Sequence, residues 1–177
     1  LNLVLPVNDF SIAFNVVSTK AGAPILPKTC LAFSGRPAFI NQRGDITQQT
    51  KWKEYEFKAK PGNIYRRLPI IAPYQPRVDW QIWFAAMEKP EQNPWLMHLV
   101  WKLLDNDKDA LSLLANNPFP DNPPNYIRVE FYRYQFNRPE DKSGAVWDRT
   151  YAGEWLPPLS KSTKGFKEYI DAYGWKD

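Results

Sequence analysis

The chain is 177 residues long, with 23 Lys+Arg against 19 Asp+Glu and a net charge of +4 at neutral pH. That length suits one domain, 1–177, able to bury roughly 70% of its unfolded surface, and a composition 44% apolar and 24% charged excludes disorder throughout. One cysteine, Cys30, excludes an internal disulfide and a cysteine-rich zinc site; one histidine, His98, excludes a two-histidine metal cluster; and no apolar run reaches the length of about 18 residues that crosses a bilayer.

The first 50 residues read as divergent N-terminal strands and loops. Ile12, Phe14 and Val16 alternate with Ala13 and Asn15, the period of a half-buried strand. Ala21–Pro24 and Pro27 break the pattern, Thr29–Ser34 resumes it until Gly35 and Pro37, and Gly44–Asp45 marks a turn. Beginning with Leu1 rather than Met, the chain reads as processed or trimmed, with any targeting segment out of view. In Lys53–Lys60, Tyr55, Phe57 and Ala59 share one face; Glu54, Glu56, Lys58 and Lys60 share the other. Pro61–Gly62 is the expected turn. Pro69, Pro73 and Pro76 then favour extended backbone along the surface.

A helical insertion is expected over about 79–115. Trp80, Trp83, Phe84 and Met87 fall at i, i+3, i+4 and i+7, one apolar stripe, with Asp79 as cap. Asn93–Pro94 is a start signal for a second helix with Leu96, Leu99, Val100 and Leu103 inward. Asp107 or a neighbour caps a third, holding Leu111 and Leu114 and stopped by Asn116–Pro118. Tyr126–Phe136 is the clearest strand, with Ile127, Val129 and Phe131 on one face. After a polar connection, Val146–Trp155 is its partner, ended by Pro157–Pro158. The last segment, 161–177, holds a helix striped by Phe166, Tyr169, Ile170 and Tyr173, capped by Ser162 or Thr163 and closed by Gly174. Strands, helices, strands and a final helix define an α+β protein, expected as an antiparallel β-sandwich-like sheet with a helical insertion.

Catalytic constellations are weak. Ser34 lies in Ala-Phe-Ser-Gly-Arg, which is not a nucleophile elbow, and no Gly-rich phosphate cradle occurs. Asp105–Asp109 resembles the opening of a calcium loop but has Ala110 and Asn116 where Gly and Glu are required. Glu54 and Glu56 share a face but are interleaved with Lys53 and Lys58, as in a solvated charge ladder. Tyr126, Arg128, Tyr132, Arg133 and Tyr134 mix aromatic and basic groups, yet no RNA-binding strand motif is present and the charge is mild, so nucleic acid is not expected as a partner. A carbohydrate-binding sandwich would need several exposed aromatics in one row. What remains is an aromatic excess, suited to a core and to protein interfaces alike.

From Trp52 onward, over 52–160, the chain resembles the C-terminal domain of the lipase maturation factor family. The segments that carry this are Trp52–Gly62, Ile71–Ala86, Asn93–Trp95, Asn117–Phe119 with Pro123–Pro124, Tyr126–Arg128 and Glu154–Ser160. The run Ala-Pro-x-Gln-Pro-Arg-x-Asp-Trp-Gln-x-Trp-Phe-Ala-Ala, ending at Ala86, is long and chemically unusual. The resemblance implies a non-enzymatic, protein-binding domain without cofactor, metal or catalytic residues. It also implies an endoplasmic reticulum location, lumenal and membrane-associated, with lipase-like clients as partners. An accessory or scaffold subunit of a membrane complex, in that or another organelle, is the alternative, and a carbohydrate-binding β-sandwich module is a further one. The family's membrane helices are not in this chain. Arg77, Asp79, Trp80, Gln81 and Trp83, clustered where the first helix begins, are the candidate partner contacts. An Arg77–Asp79 pair is expected to pin the proline-rich segment to the fold.

Overall fold

The computed structural model describes residues 29–36, 52–69, 74–138 and 140–175. The strand expected at Ile12–Val16 and the turn at Gly44–Asp45 lie outside them. The elements in order are β1 (Thr29–Arg36), β2 (Lys53–Glu54), α1 (Arg77–Ala85), a 3-10 turn (Pro90–Gln92), α2 (Pro94–Leu104), α3 (Lys108–Ser112), β3 (Tyr126–Phe136), β4 (Trp147–Leu159) and α4 (Phe166–Ala172). The strands form one antiparallel sheet in the order β2-β1-β3-β4. The α+β expectation therefore holds. The second layer is helical, and no second sheet is present among the described residues.

Register explains how the sheet builds a core face. Phe131 pairs with Leu31, Val129 with Phe33 and Ile127 with Gly35, so alternate residues of β1 and β3 stack as cross-strand apolar pairs. On that face Leu31, Phe33, Ile127 and Val129 join Ile82 and Ala85 of α1, Leu96, Leu99, Val100 and Leu103 of α2, and Phe166 and Ile170 of α4 in one buried cluster. Full burial of each large member stabilises by about 1.5–3 kcal/mol. The inward stripe expected of α2 is the one buried. Among the described residues, no helix is long and apolar enough to cross a membrane.

Several expectations need correction. In α1 the buried residues are Val78, Asp79, Ile82 and Ala85. Trp80, Trp83 and Phe84 are half-buried, and Met87 is exposed. The helix turns its aliphatic and small side to the core, where Ala85 and Ala86 permit close approach. Asp79 does not cap α1, whose cap position is Pro76. The strand expected over Lys53–Lys60 pairs in the sheet only at Lys53–Glu54, with a single further bridge from Phe57 to Leu114. The alternation of Tyr55, Phe57 and Ala59 inward holds, but Lys60 is also buried, 2% exposed. Its Nζ donates to the carbonyls of Leu31 (2.6 Å) and Pro61 (3.2 Å) and lies 4.8 Å from the Phe57 ring.

Pro157 and Pro158 do not end β4, which runs on to Leu159. β4 is an outer strand, and register shifts set Leu156 against Val129 and Leu159 against Ile127, so the prolines sit where the ladder is irregular and no N–H is required. α3 ends at Ser112, before Leu114 and the Asn-Asn-Pro stop, because Leu114 is drawn into the bridge with Phe57. α4 is preceded by Gly165, with φ 80°, rather than capped by Ser162 or Thr163. Thr163 Oγ1 instead accepts from the N–H of Ser160.

Gly35 is constrained by its surroundings. A Cβ there would lie 2.6 Å from Phe119 Cε2 and 3.0 Å from Pro124 Cβ. Gly35→Ala is expected to destabilise the protein by about 1–3 kcal/mol through overpacking, read as a lower denaturation midpoint. Gly144→Ala, with nothing within 4 Å of its Cβ, separates packing from backbone strain, since its φ of 75° costs without any clash.

Candidate functional site

The five candidate residues of α1 do not form one patch. Asp79 is fully buried, 0% exposed, and its Oδ1 accepts the N–H of Ala59 at 2.6 Å. Burial raises its pKa above the ordinary carboxylate value. The Ala59 N–H, then Lys60, Lys58 and Arg66, pull the other way. Asp79 thus ties α1 to the segment after β2, and the expected Arg77–Asp79 pair is not what holds it. Trp80 stands edge-on to Phe84, ring centroids 5.4 Å apart at 89°. Arg77 and Gln81 lie a turn apart and line a cleft.

That cleft, about 680 Å³, opens between α1, α2 and α3. Val78, Leu99, Ala110 and Leu113 supply its apolar lining, with Trp95, His98 and Lys102 from the outer side of α2 and Asp107 and Asp109 from the start of α3. Asp107 builds the α3 wall. Its Oδ1 accepts the N–H groups of Asp109 (3.0 Å) and Ala110 (2.9 Å), and Oδ2 lies 3.8 Å from Lys102 Nζ. The Ala110 N–H leads the influences that hold its carboxyl below the usual range, although desolvation opposes them. His98 stacks on Trp175 at 4.7 Å and 11°, and Trp175 stacks on Tyr173 at 4.8 Å and 14°. Trp95, His98 and Lys102 are spaced three and four apart, one helical face beside the apolar stripe, and Leu99 of that stripe joins them in the lining. Asn93, expected as the cap of α2, stands at the cap position, but its side chain donates to Glu88 Oε2 (2.9 Å) and the Lys89 carbonyl (3.2 Å).

A second hollow, about 400 Å³, is lined by Glu54, Glu56, Gly62, Asn63, Ile64 and Arg149. Each carboxylate has a guanidinium: Arg149 donates to Glu54 at 2.7 Å, and Arg66 lies 3.6 Å from Glu56. Arg149 also lies 3.7 Å from the Tyr132 ring centroid. Desolvation is the largest single influence and works against its charge, but Glu54, Tyr134 and Tyr132 together raise the pKa above the ordinary guanidinium value. The ladder thus uses arginines from distant segments, not Lys53 and Lys58, and no acid/base pair of carboxylates is assembled. Asp105 pairs with Lys161, Asp107 is spent on its cap, and among the described residues no group of His, Cys, Asp and Glu could hold a metal ion. On the sheet, Arg128 pairs with Glu130 at 3.2 Å and covers the Trp52 ring, while Tyr134 is buried. That is not an open row of stacking platforms.

The fold and these surfaces define a domain whose clefts are walled by structural cations and carboxylates, and comparison with known proteins places it. The profile of the lipase maturation factor C-terminal domain matches residues 29–157, beginning with β1 and so earlier than Trp52. The chain belongs to the lipase maturation factor family. It is 46% identical to lipase maturation factor 1 of Bos taurus over 184 aligned positions, covering 99% of this chain and 32% of that protein. It is 46% identical to lipase maturation factor 1 of Homo sapiens over 128 positions, 70% of this chain and 22% of that protein. It is 38% identical to lipase maturation factor 2 of Mus musculus over 147 positions, 81% of this chain and 20% of that protein. The chain thus spans about a third or less of the length of these relatives. No solved structure matches it.

Asp79 makes a testable anchor. Asp79→Ala orphans the buried Ala59 N–H and is expected to cost about 1–3 kcal/mol, read by denaturant titration. Because the folded state holds the Asp79 proton more tightly than the unfolded chain does, stability falls as pH rises from the ordinary carboxylate range through the raised value. Asp79→Asn, which keeps an oxygen for Ala59, is expected to flatten that slope; an unchanged slope would assign it to other groups.

Proposed function

We propose that this domain serves lipase maturation by binding partner polypeptides in the lumen of the endoplasmic reticulum, with no chemistry of its own, and that the α1–α2–α3 cleft seats a partner. The observation that carries this is the family match over 29–157, together with relatives named for the maturation of lipases. The cleft suits the role. Aliphatic groups line it, Trp95 and Arg77 are of the types that dominate interface energetics, and charged groups rim it. Arg77 and Gln81 are the two α1 candidates placed to touch an occupant. Trp80 and Trp83 face another side of the helix, and Asp79 acts by holding α1 in place.

Cells lacking the full-length protein, re-expressing it with Arg77→Glu and Leu113→Asp, are the test. Secreted lipase activity per cell is expected to fall by about tenfold, with the amount of full-length protein unchanged. Wild-type lipase output from that double variant would remove the cleft from the function. Turnover of esters or glycosides by the purified full-length protein would overturn the non-enzymatic reading.

A further inference from the structure

The sheet order leaves β4 as its outer strand on one side. Three hydrogen bonds fix which peptide groups look outward. Asn137 N–H donates to Val146 O at 2.9 Å, so that carbonyl faces β3; the N–H groups of Val146 (2.8 Å) and Trp147 (3.1 Å) both donate to Ile64 O, away from β3. Peptide orientation alternates along an antiparallel strand, and the register is regular from Phe136↔Trp147 to Tyr132↔Tyr151. Arg149 and Tyr151 therefore turn N–H and C=O to the same side as Trp147. The Ile64 carbonyl fills the first outward position, and among the described residues no partner fills the next two.

The features that blunt a sheet edge lie farther along β4: the register shift after Tyr151 and the Pro157–Pro158 pair. Asp148, Thr150, Tyr151 and Ala152 are exposed, Tyr151 at 56%. Charge selects the occupant. Asp148 and Glu154 bracket the open stretch without an ion pair among the described residues, and Arg149 is committed to Glu54. A second copy of β4 laid along this edge would bring four carboxylates to one seam with no free cation on either strand. An extended segment carrying Lys or Arg near its ends matches both the peptide groups and the charge.

We propose that the β4 edge from Asp148 to Tyr151 docks an extended, basic-flanked segment of a partner polypeptide, which adds a strand to the sheet. This rests on the partner-binding function above and names the form of the partner: a stretch of chain not yet folded.

The test uses the full-length protein in microsomes into which a secreted lipase is translated, with a photo-cross-linking amino acid in place of Thr150 or, separately, of Leu113 in the cleft. A lipase adduct from position 150 is expected. It should fall about three- to tenfold with Tyr151→Pro, which removes one outward donor, and comparably with Asp148→Lys plus Glu154→Lys. Tyr151→Thr, which keeps the N–H, should leave it intact. Limited proteolysis of each variant confirms folding, and the charge variant carries the test should Tyr151→Pro fail to fold. Adducts from position 113 alone would overturn the edge proposal and leave partner binding standing. Adducts from neither position would overturn both. A homodimer adduct from position 150, or one equally strong in all variants, would overturn strand addition to a client.

Discussion

The carboxylate of Asp79 fixes more of this molecule than any other single group. An acidic residue enters the core because one backbone N–H, that of Ala59, needs an acceptor there. The bond sets the rotation of α1 about its axis. With Asp79 inward, Val78, Ile82 and Ala85 follow it to the sheet, the tryptophans move to the boundary, and Arg77 and Gln81 come to the mouth of the cleft. It also holds the segment after β2 alongside β1, where Lys60 reaches the Leu31 carbonyl. A helix that looks aromatic-faced in sequence is thus oriented by one polar contact.

That contact explains where sequence patterns succeed and fail. Tyr126–Phe136, the Leu96–Leu103 stripe and the Asp107 cap were legible, because each follows from spacing within its own segment. α1 offered two stripes, one aliphatic and one aromatic. Hydrophobicity favours the rings; the choice is made by Ala59, which is distant in sequence. The outward expectation for Lys60 failed for a similar reason: a carbonyl of β1 waits for it. The run of β4 through two prolines depends on its place at the sheet's edge, a property of topology that no local pattern encodes. The candidate site was half legible. Arg77 and Gln81 stand in the cleft, but nothing in the α2 segment alone marks Trp95, His98 and Lys102 as its wall.

The charged residues of the sheet illustrate a second constraint. Glu54, Glu56, Arg66 and Arg149 come from three segments and meet as two ion pairs, with Arg149 laid on Tyr132. Half-exposed pairs of this kind contribute little energy singly. Their effect is on register: β2 is two residues long, and the Glu54–Arg149 pair ties it to β4 across the sheet. The same pairing gives each of the two carboxylates a guanidinium partner, so Glu54 and Glu56 serve the fold.

The pairing of Leu31 with Phe131 has a consequence for how the domain comes into being. During synthesis β1 emerges about a hundred residues before the strand that completes it. Until β3 has left the ribosome, the core-facing residues of α1 and α2 have no completed sheet to pack on. Contacts so distant in sequence make for slow, late closure, so a member of a family named for the ripening of other proteins has a demanding birth of its own.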